Sequence, residues 1–265
     1  PAVKRFRGLA ARKNRRREGA FTVEGLQPVW FAVQARWPVE LLIVAPDLLT
    51  HEPSWQLVDK AEHAGTPVTR VSREVFEHLS DRDGPAGLAA ILSGTIGGIE
   101  QFDPAADGPV VALHRVANPG NIGAILRSAD AAGAAGLLLI GSTADPFAPA
   151  AVKASMGSLF AVPVAHVDDD DALFSWAESV GRPVVAVTGA GSRTLWEEPL
   201  PANAVLLFGS EGDGLPDALA ARSSAAVSIP MGGTAESLNL ATAAAVTLFE
   251  CARMRHFSKA GEDVR

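Results

Sequence analysis

Six short apolar runs dominate the second half of this chain: residues 110–113, 137–140, 162–165, 184–187, 205–208 and 226–229. A strand with one wet face alternates apolar and polar side chains. These runs do not alternate, so they fit a parallel sheet buried on both faces. Helical stretches at 121–134, 147–158, 171–180 and 237–254 supply the covering layers. In sheets of that kind ligands bind beyond the carboxyl ends of the strands. Chemistry is therefore expected in the loops after Leu113, Phe208 and Ile229.

The first loop reads Asn118-Pro-Gly-Asn-Ile-Gly-Ala-Ile-Leu-Arg127. Asn118 before Pro119 favours a turn, and Asn121 is placed to cap the helix that follows. Arg127 lies less than two turns further on. It is either a solvated helical residue or a fixed cation beside a phosphate or a developing oxyanion. The second loop, Leu207-Phe-Gly-Ser-Glu-Gly-Asp-Gly-Leu-Pro216, carries three glycines after a strand. Their spacing is not that of a dinucleotide fingerprint, and the Gly-Lys-Ser/Thr of a P-loop is missing. What remains is a backbone-lined pocket with one acid, Glu211. The third loop, Ile229-Pro-Met-Gly-Gly-Thr-Ala-Glu-Ser-Leu-Asn239, turns through Pro230 and two glycines toward a helix expected to start at Ser237. Alone, it reads equally as a ligand-holding turn or as a strand–turn–helix with a serine cap.

Apolar residues make up 48% of the chain and charged ones 20%, the balance of a soluble globular protein. Cys251 is the single cysteine. That excludes an intrachain disulfide and a Cys-based zinc site, and it suits a reducing cytoplasm. No apolar run is long enough for a membrane helix, and the basic N-terminus lacks the apolar core of a secretory signal. His51, His63, His78, His114, His166 and His256 show no metal-ligand spacing, so no metal is expected.

The net charge of −7 conceals an asymmetry. Lys4, Arg5, Arg7, Arg12, Lys13, Arg15, Arg16 and Arg17 crowd the start of the chain without one acid among them, whereas residues 168–171 are all aspartate. The basic cluster is either a footprint for phosphate chains or a solvated helical tail. Residues 1–20 read as a basic helix or arm. Strand runs at 21–24, 40–45, 67–71 and 87–92 then alternate with helices at 25–36, 54–63 and 72–79, with Ser54 and Ser72 as caps. This predicts a small α/β domain over 21–93 with a mostly parallel sheet. The Gly-, Pro- and Asp-rich stretch 94–109 reads as a linker to a second domain, 110–265.

Taken together, Asn118-Pro-Gly-Asn-Ile-Gly with Arg127, Gly209-Ser-Glu-Gly-Asp-Gly-Leu215, and Ile229-Pro-Met-Gly-Gly with Ser237-Leu-Asn239 resemble the three ordered motifs of the SpoU/TrmH family. These are SPOUT-class RNA ribose 2′-O-methyltransferases. Lys153-Ala-Ser-Met-Gly-Ser-Leu-Phe160 is similar to a further family segment. Glu18-Gly-Ala-Phe-Thr-Val-Glu-Gly25 and Val71-Ser-Arg-Glu-Val-Phe76 resemble the small, ribosomal-protein-like substrate-binding domain that precedes the catalytic one.

The resemblance implies an α/β fold in which a parallel-sheet SPOUT domain with a deep trefoil knot follows that substrate-binding domain. It implies S-adenosylmethionine as cofactor, a homodimer whose site uses both chains, and an RNA substrate, ribosomal in preference to transfer RNA. By position, Gly209, Ile229 and Leu238, with Met231, Leu207 and Phe208, line the cofactor pocket, largely through backbone groups. Arg127 is the family's essential arginine, and Asn121, Glu211, Ser237 and Asn239 accompany it. Arg5, Arg7, Arg12, Lys13, Arg15, Arg16 and Arg17 are expected to grip RNA. Ala124 departs from the pattern, since some members carry a hydroxyl residue or asparagine there.

A ribose 2′-hydroxyl is a poor nucleophile while protonated. A guanidinium is always charged, so Arg127 is expected to position the substrate and stabilise alkoxide character rather than act as a base. The proton is left to Glu211, Asn121 or a water. A SPOUT enzyme acting on a base and an RNA-binding factor without turnover are the alternatives. The set Asn121, Arg127 and Ser237-Leu-Asn239 favours the ribose.

Overall fold

The computed structural model describes residues 1–80, 83–104, 108–197 and 199–262, with side chains through 255. The chain forms two compact units. One is Pro1–Thr95 together with Asp145–Ala161, and the other is Ile96–Ala144 together with Val162–Arg265. The excursion of residues 145–161 into the first unit has no counterpart in a linear division at a single linker.

The first unit opens with helices α1 (Ala2–Gly8) and α2 (Arg12–Glu18). They are not a detached arm: Phe6 and Leu9 enter the apolar core with Ile43, Phe76 and Ile91. Strand β1 (Ala20–Glu24) follows, then α3 (Leu26–Gln34), β2 (Val39–Val44), α4 (Glu52–His63), β3 (Val68–Arg70), α5 (Arg73–Leu79) and β4 (Leu88–Ser93). The sheet order is β1-β4-β2-β3. Only β2 and β3 are parallel, while β4 runs antiparallel to both β1 and β2. The expected mostly parallel sheet is thus corrected. Alternation of strands and helices gives element type but not direction, and β4 returns between two strands already laid down.

Ser72 caps α5, its Oγ accepting from the backbone N–H of Val75. Ser54 does not cap α4. The helix begins earlier, with Pro53 in its first turn, where a missing N–H costs nothing, and Ser54 is buried inside it. The helix Pro149–Ser155 and the 3-10 turn Ser158–Phe160 belong to the same unit. Phe147 stacks on Phe21 with ring centroids 4.3 Å apart, and Trp37 meets Phe21 edge-on. Gly157 has φ +102°, and a Cβ there would lie 2.4 Å from the Phe31 ring, so only glycine fits.

The second unit holds an eight-stranded sheet whose described pairings are all parallel. Its strands are β5 (Gly97–Gly98), β6 (Val110–His114), β7 (Gly136–Ile140), β8 (Val164–Val167), β9 (Val184–Val187), β10 (Arg193–Thr194), β11 (Val205–Phe208) and β12 (Ala225–Ser228). The order is β10-β12-β9-β11-β6-β7-β8-β5. Every residue of β6, β7, β9 and β11 is buried, as the unbroken apolar runs require. Helix α6 (Pro119–Ala131) follows β6. The helix Pro149–Ser155 is α7 in chain order, and α8 (Asp170–Ser179), α9 (Asp217–Arg222) and α10 (Leu240–Glu262) complete the set. The stretch 94–109 is more than a linker. It contributes β5, paired with Ala165 and His166 of β8, and a buried Ile99; its residues 105–107 lie outside the described ones.

Two helix starts differ from the sequence reading. Asn118, not Asn121, caps α6: its Oδ1 accepts from the N–H of Gly120 at 2.8 Å, with Pro119 in the first turn. Helix α10 starts at Leu240 rather than Ser237. Asn239 Oδ1 accepts from the N–H groups of Ala241 and Thr242 at 2.9 and 3.4 Å. Asparagine caps at least as well as serine, and here it stands directly before an unbroken helix-forming run.

Candidate active site

Strands β12, β9, β11 and β6 are neighbours in the sheet and point the same way. Their trailing loops therefore share one end of the second unit. Three of these are the loops singled out from sequence. The fourth, Thr188-Gly-Ala-Gly191 after β9, was missed. No side chain marks it, and only its strand's place between β12 and β11 puts it there. It is tied to its neighbour by the Thr188 N–H, which donates to Val227 O at 3.0 Å.

Glu211 stands at the tip of a tight hairpin. Ser210 and Gly214 exchange backbone hydrogen bonds, each 3.1 Å long. A Cβ on Gly209 would lie 2.0 Å from the Gly214 carbonyl carbon, so the close approach requires glycine. From that tip Glu211 reaches the start of α6. Oε2 accepts from the Ala117 N–H and Oε1 from the Asn118 N–H, both at 3.2 Å, and Oε1 also accepts from Asn121 Nδ2 at 2.8 Å. Asn121 is 8% exposed, and its Oδ1 accepts from Asn239 Nδ2 at 3.3 Å. Three loops far apart in sequence are thus stitched by Glu211, Asn121 and Asn239.

Partial burial acts to raise the Glu211 carboxyl. Hydrogen bonds from Asn121, from its own backbone and from Ala117 and Asn118 outweigh it, and the group sits below the usual carboxylate range. An acid held ionised with both oxygens engaged is a poor proton acceptor. Its geometry is that of a latch.

The other expected residues stand apart from this network. Arg127 is exposed on α6 and makes no hydrogen bond or ion pair among the described residues. Ser237 is exposed and likewise unbonded. Leu207 and Phe208 have buried side chains in the sheet, so only their backbone is open to a ligand. Ile229 is half-buried, and Met231 and Leu238 are 38% and 36% exposed on an open loop. His114 ends β6, but it is buried with Nε2 3.3 Å from Asp170 Oδ1. Burial pushes its imidazole pKa down against the pull of Asp170, so it serves as a neutral structural group.

The expected RNA-gripping cations divide in the structure. Arg15 is 6% exposed. Its Nε and Nη2 meet Asp145 Oδ2 at 2.8 and 2.7 Å, and Nη1 donates to the carbonyls of Leu9 and Ala10. This guanidinium is fully committed inside the first unit and is not a surface cation. Arg5 is held by Glu18 and Glu40, and Arg17 by Glu18. Arg7, Lys13 and Arg16 are exposed with no partner among the described residues.

Residues 108–249 match the model of the SpoU rRNA Methylase family, more than half of the chain. The chain belongs to the SpoU family. Residues 1–90 match an MRM3-like substrate binding domain. A 23S rRNA (uridine(2479)-2′-O)-methyltransferase of Streptomyces viridochromogenes is 32% identical, over 93% of this SpoU chain and 87% of its own length. An AdoMet-bound rRNA methyltransferase from Sinorhizobium meliloti superposes with a TM-score of 0.85 at 36% identity, over 96% of this chain and 95% of the other. A structure concerned with 2-OH methylation of C/U34 on tRNA is 30% identical with a TM-score of 0.51, but it covers 56% of this chain and 97% of its own. Among the described residues, no helix of this SpoU protein is long and apolar enough to cross a membrane.

Proposed function

We propose that this protein transfers a methyl group from S-adenosylmethionine to a ribose 2′-hydroxyl in RNA, ribosomal in preference to transfer RNA. The observation that carries the reading is the junction of Glu211, Asn121 and Asn239, which fastens all three family motifs at the carboxyl end of one parallel sheet. The preference for ribosomal RNA is supported by coverage. The two rRNA methyltransferases match 93% and 96% of the chain, whereas the tRNA-directed structure matches 56%.

The backbone around Gly209 with Ile229, Met231 and Leu238 would hold the cofactor. The cofactor supplies an electrophilic methyl group. The protein's task is to orient the 2′-oxygen and lower the cost of its ionisation. Arg127, exposed and unpaired among the described residues, can take the neighbouring phosphate in a bidentate grip and stabilise the developing alkoxide. Ser237 is free to bond the ribose. Glu211 holds the loops in place, so the departing proton passes to water.

A homodimer with a knotted C-terminal passage completes this reading. In its support, α10 buries Ala244, Leu248 and Cys251 on one face and leaves Phe249 52% exposed on another, apolar surface that a second copy would cover. A cytoplasmic setting is supported by the single cysteine, Cys251, which leaves no intrachain disulfide to form.

The decisive experiment incubates the protein with radiolabelled S-adenosylmethionine and, separately, ribosomal and transfer RNA, then identifies the labelled nucleoside by mass spectrometry. A 2′-O-methylnucleoside from ribosomal RNA is expected. A methylated base, or no label in either RNA, overturns the reading. Arg127→Lys, which keeps the charge and loses the fork, is expected to lower kcat at least tenfold.

A further inference from the structure

The first unit contains a cleft of about 710 Å³ that none of the three motifs enters. It is built from separate parts of the chain: Phe6 and Arg7 of α1, Thr22 and Glu24 of β1, His78 of α5 and Lys153 of α7. Strand β1 is the edge of its sheet. The volume is within the roughly 300–1,000 Å³ of small-ligand sites.

Its polar groups are of two kinds. Arg7 and Lys153 are exposed cations without a hydrogen bond or ion pair among the described residues. They come from distant parts of the sequence, Arg7 from α1 and Lys153 from α7. Thr22 is 7% exposed, and its hydroxyl has no hydrogen-bond partner among the described residues. A buried hydroxyl in a packed interior normally finds one. This one faces the cleft instead. Glu24 accepts from Ser80 Oγ there, and His78 Nδ1 donates to Glu74 O. The cleft is thus lined by donors and acceptors together with Phe6 and two cations unpaired among the described residues.

We propose that this cleft holds one unpaired nucleotide of the substrate RNA, distinct from the nucleotide that is methylated. Arg7 and Lys153 take its phosphates, and Thr22, Glu24 and His78 read its base edge. Protein groups reach base edges in RNA chiefly where the base is unstacked, because the deep groove of a paired helix is too narrow to enter. The cleft is thus a selector for a bulge, loop or strand end. This inference rests on the RNA-methylation reading and deepens it.

The test uses the full-length protein with deproteinised ribosomal RNA as probe. It measures Kd across a salt series, kcat at saturating RNA, and S-adenosylmethionine affinity. Lys153→Ala is on the surface and leaves the fold intact. It is expected to weaken RNA binding several-fold and flatten the slope of log Kd against log salt by about one phosphate contact. Thr22→Val keeps shape and loses the hydroxyl. It is expected to weaken RNA binding about 2- to 10-fold, the loss of one hydrogen bond, with the salt slope unchanged. In both variants kcat and cofactor affinity stay at the wild-type value. If wild-type protein methylates RNA but both variants bind it unchanged, the cleft is not a nucleotide site. If wild-type protein methylates no RNA yet both variants lose affinity as described, the cleft assignment stands and the catalytic reading falls.

Discussion

Asn121 donates to Glu211 Oε1 at 2.8 Å with its amide and accepts from Asn239 at 3.3 Å with its carbonyl. One side chain thereby satisfies two loops, and its orientation is fixed because a carboxylate can only accept.

Glu211→Gln tests the latch. Glutamine offers one acceptor oxygen where the carboxylate offers two, so an N–H donor at the head of α6 would face the new amide. S-adenosylmethionine affinity is expected to fall at least tenfold, in keeping with loss of charge-assisted hydrogen bonds. A pH signature accompanies it. The folded-state pKa of Glu211 is depressed, so its stabilisation is present above the ordinary carboxylate pKa and is lost as pH falls through the lower folded value. Acid unfolding of Glu211→Gln followed by circular dichroism should be less steep below about pH 4 than that of wild type. Identical acid limbs would remove Glu211 from the latch.

Gly209→Ala tests the hairpin. The added methyl would meet backbone atoms of Gly214 and Leu215 at 2.0–2.2 Å, and backbone cannot swing aside as a side chain can. The loop must open. A loss of about 2 kcal/mol in urea unfolding is expected, together with loss of cofactor binding by calorimetry. Gly212, whose added Cβ would meet nothing within 4 Å, is the control. Gly212→Ala should change stability by less than about 0.5 kcal/mol.

The central strands were legible because burial on both faces leaves an unbroken apolar run, as in β6 and β11. Strand direction was not. Nothing in residues 88–93 says that β4 returns antiparallel between β1 and β2. Motif membership identified Asn121 and Asn239, but Asn121 finds its partners in Glu211, ninety residues on, and in Asn239, and local capping rules placed the helix starts on the wrong side chains. The loop 188–191 is invisible without sheet order. Arg15 looked like its basic neighbours, because the partner that buries it, Asp145, lies 130 positions away.

Asn239 combines two tasks that its neighbour Ser237 does not share. Asn239→Ala removes the cap of α10 and the bond to Asn121 together. It is expected to cost about 1 kcal/mol or slightly more in thermal unfolding and to lower kcat. Ser237 is exposed and bonded to no described residue. Ser237→Ala should therefore keep the wild-type Tm while lowering turnover. Equal destabilisation by the two variants would return the capping role to Ser237.

The basic N-terminal segment separates into structural and available cations, and Arg15 and Arg16 are adjacent members of the two groups. Arg15 pairs with Asp145, the two side chains 6% and 13% exposed, and it also satisfies two backbone carbonyls. Arg15→Met leaves the Asp145 charge buried without its counter-ion. Removal of one partner from such a pair costs about 3–5 kcal/mol, so a clear drop in Tm is expected. Arg16 is exposed and unpaired among the described residues. Arg16→Ala should leave Tm within a degree or two, weaken RNA binding and flatten its salt dependence by about one contact. Both variants are measured by calorimetry for stability and by filter binding across 50–300 mM salt for RNA, roughly the range over which counter-ion release dominates. If Arg15→Met proves stable and loses RNA affinity as Arg16→Ala does, the ion pair with Asp145 is dispensable and Arg15 returns to the RNA-binding set.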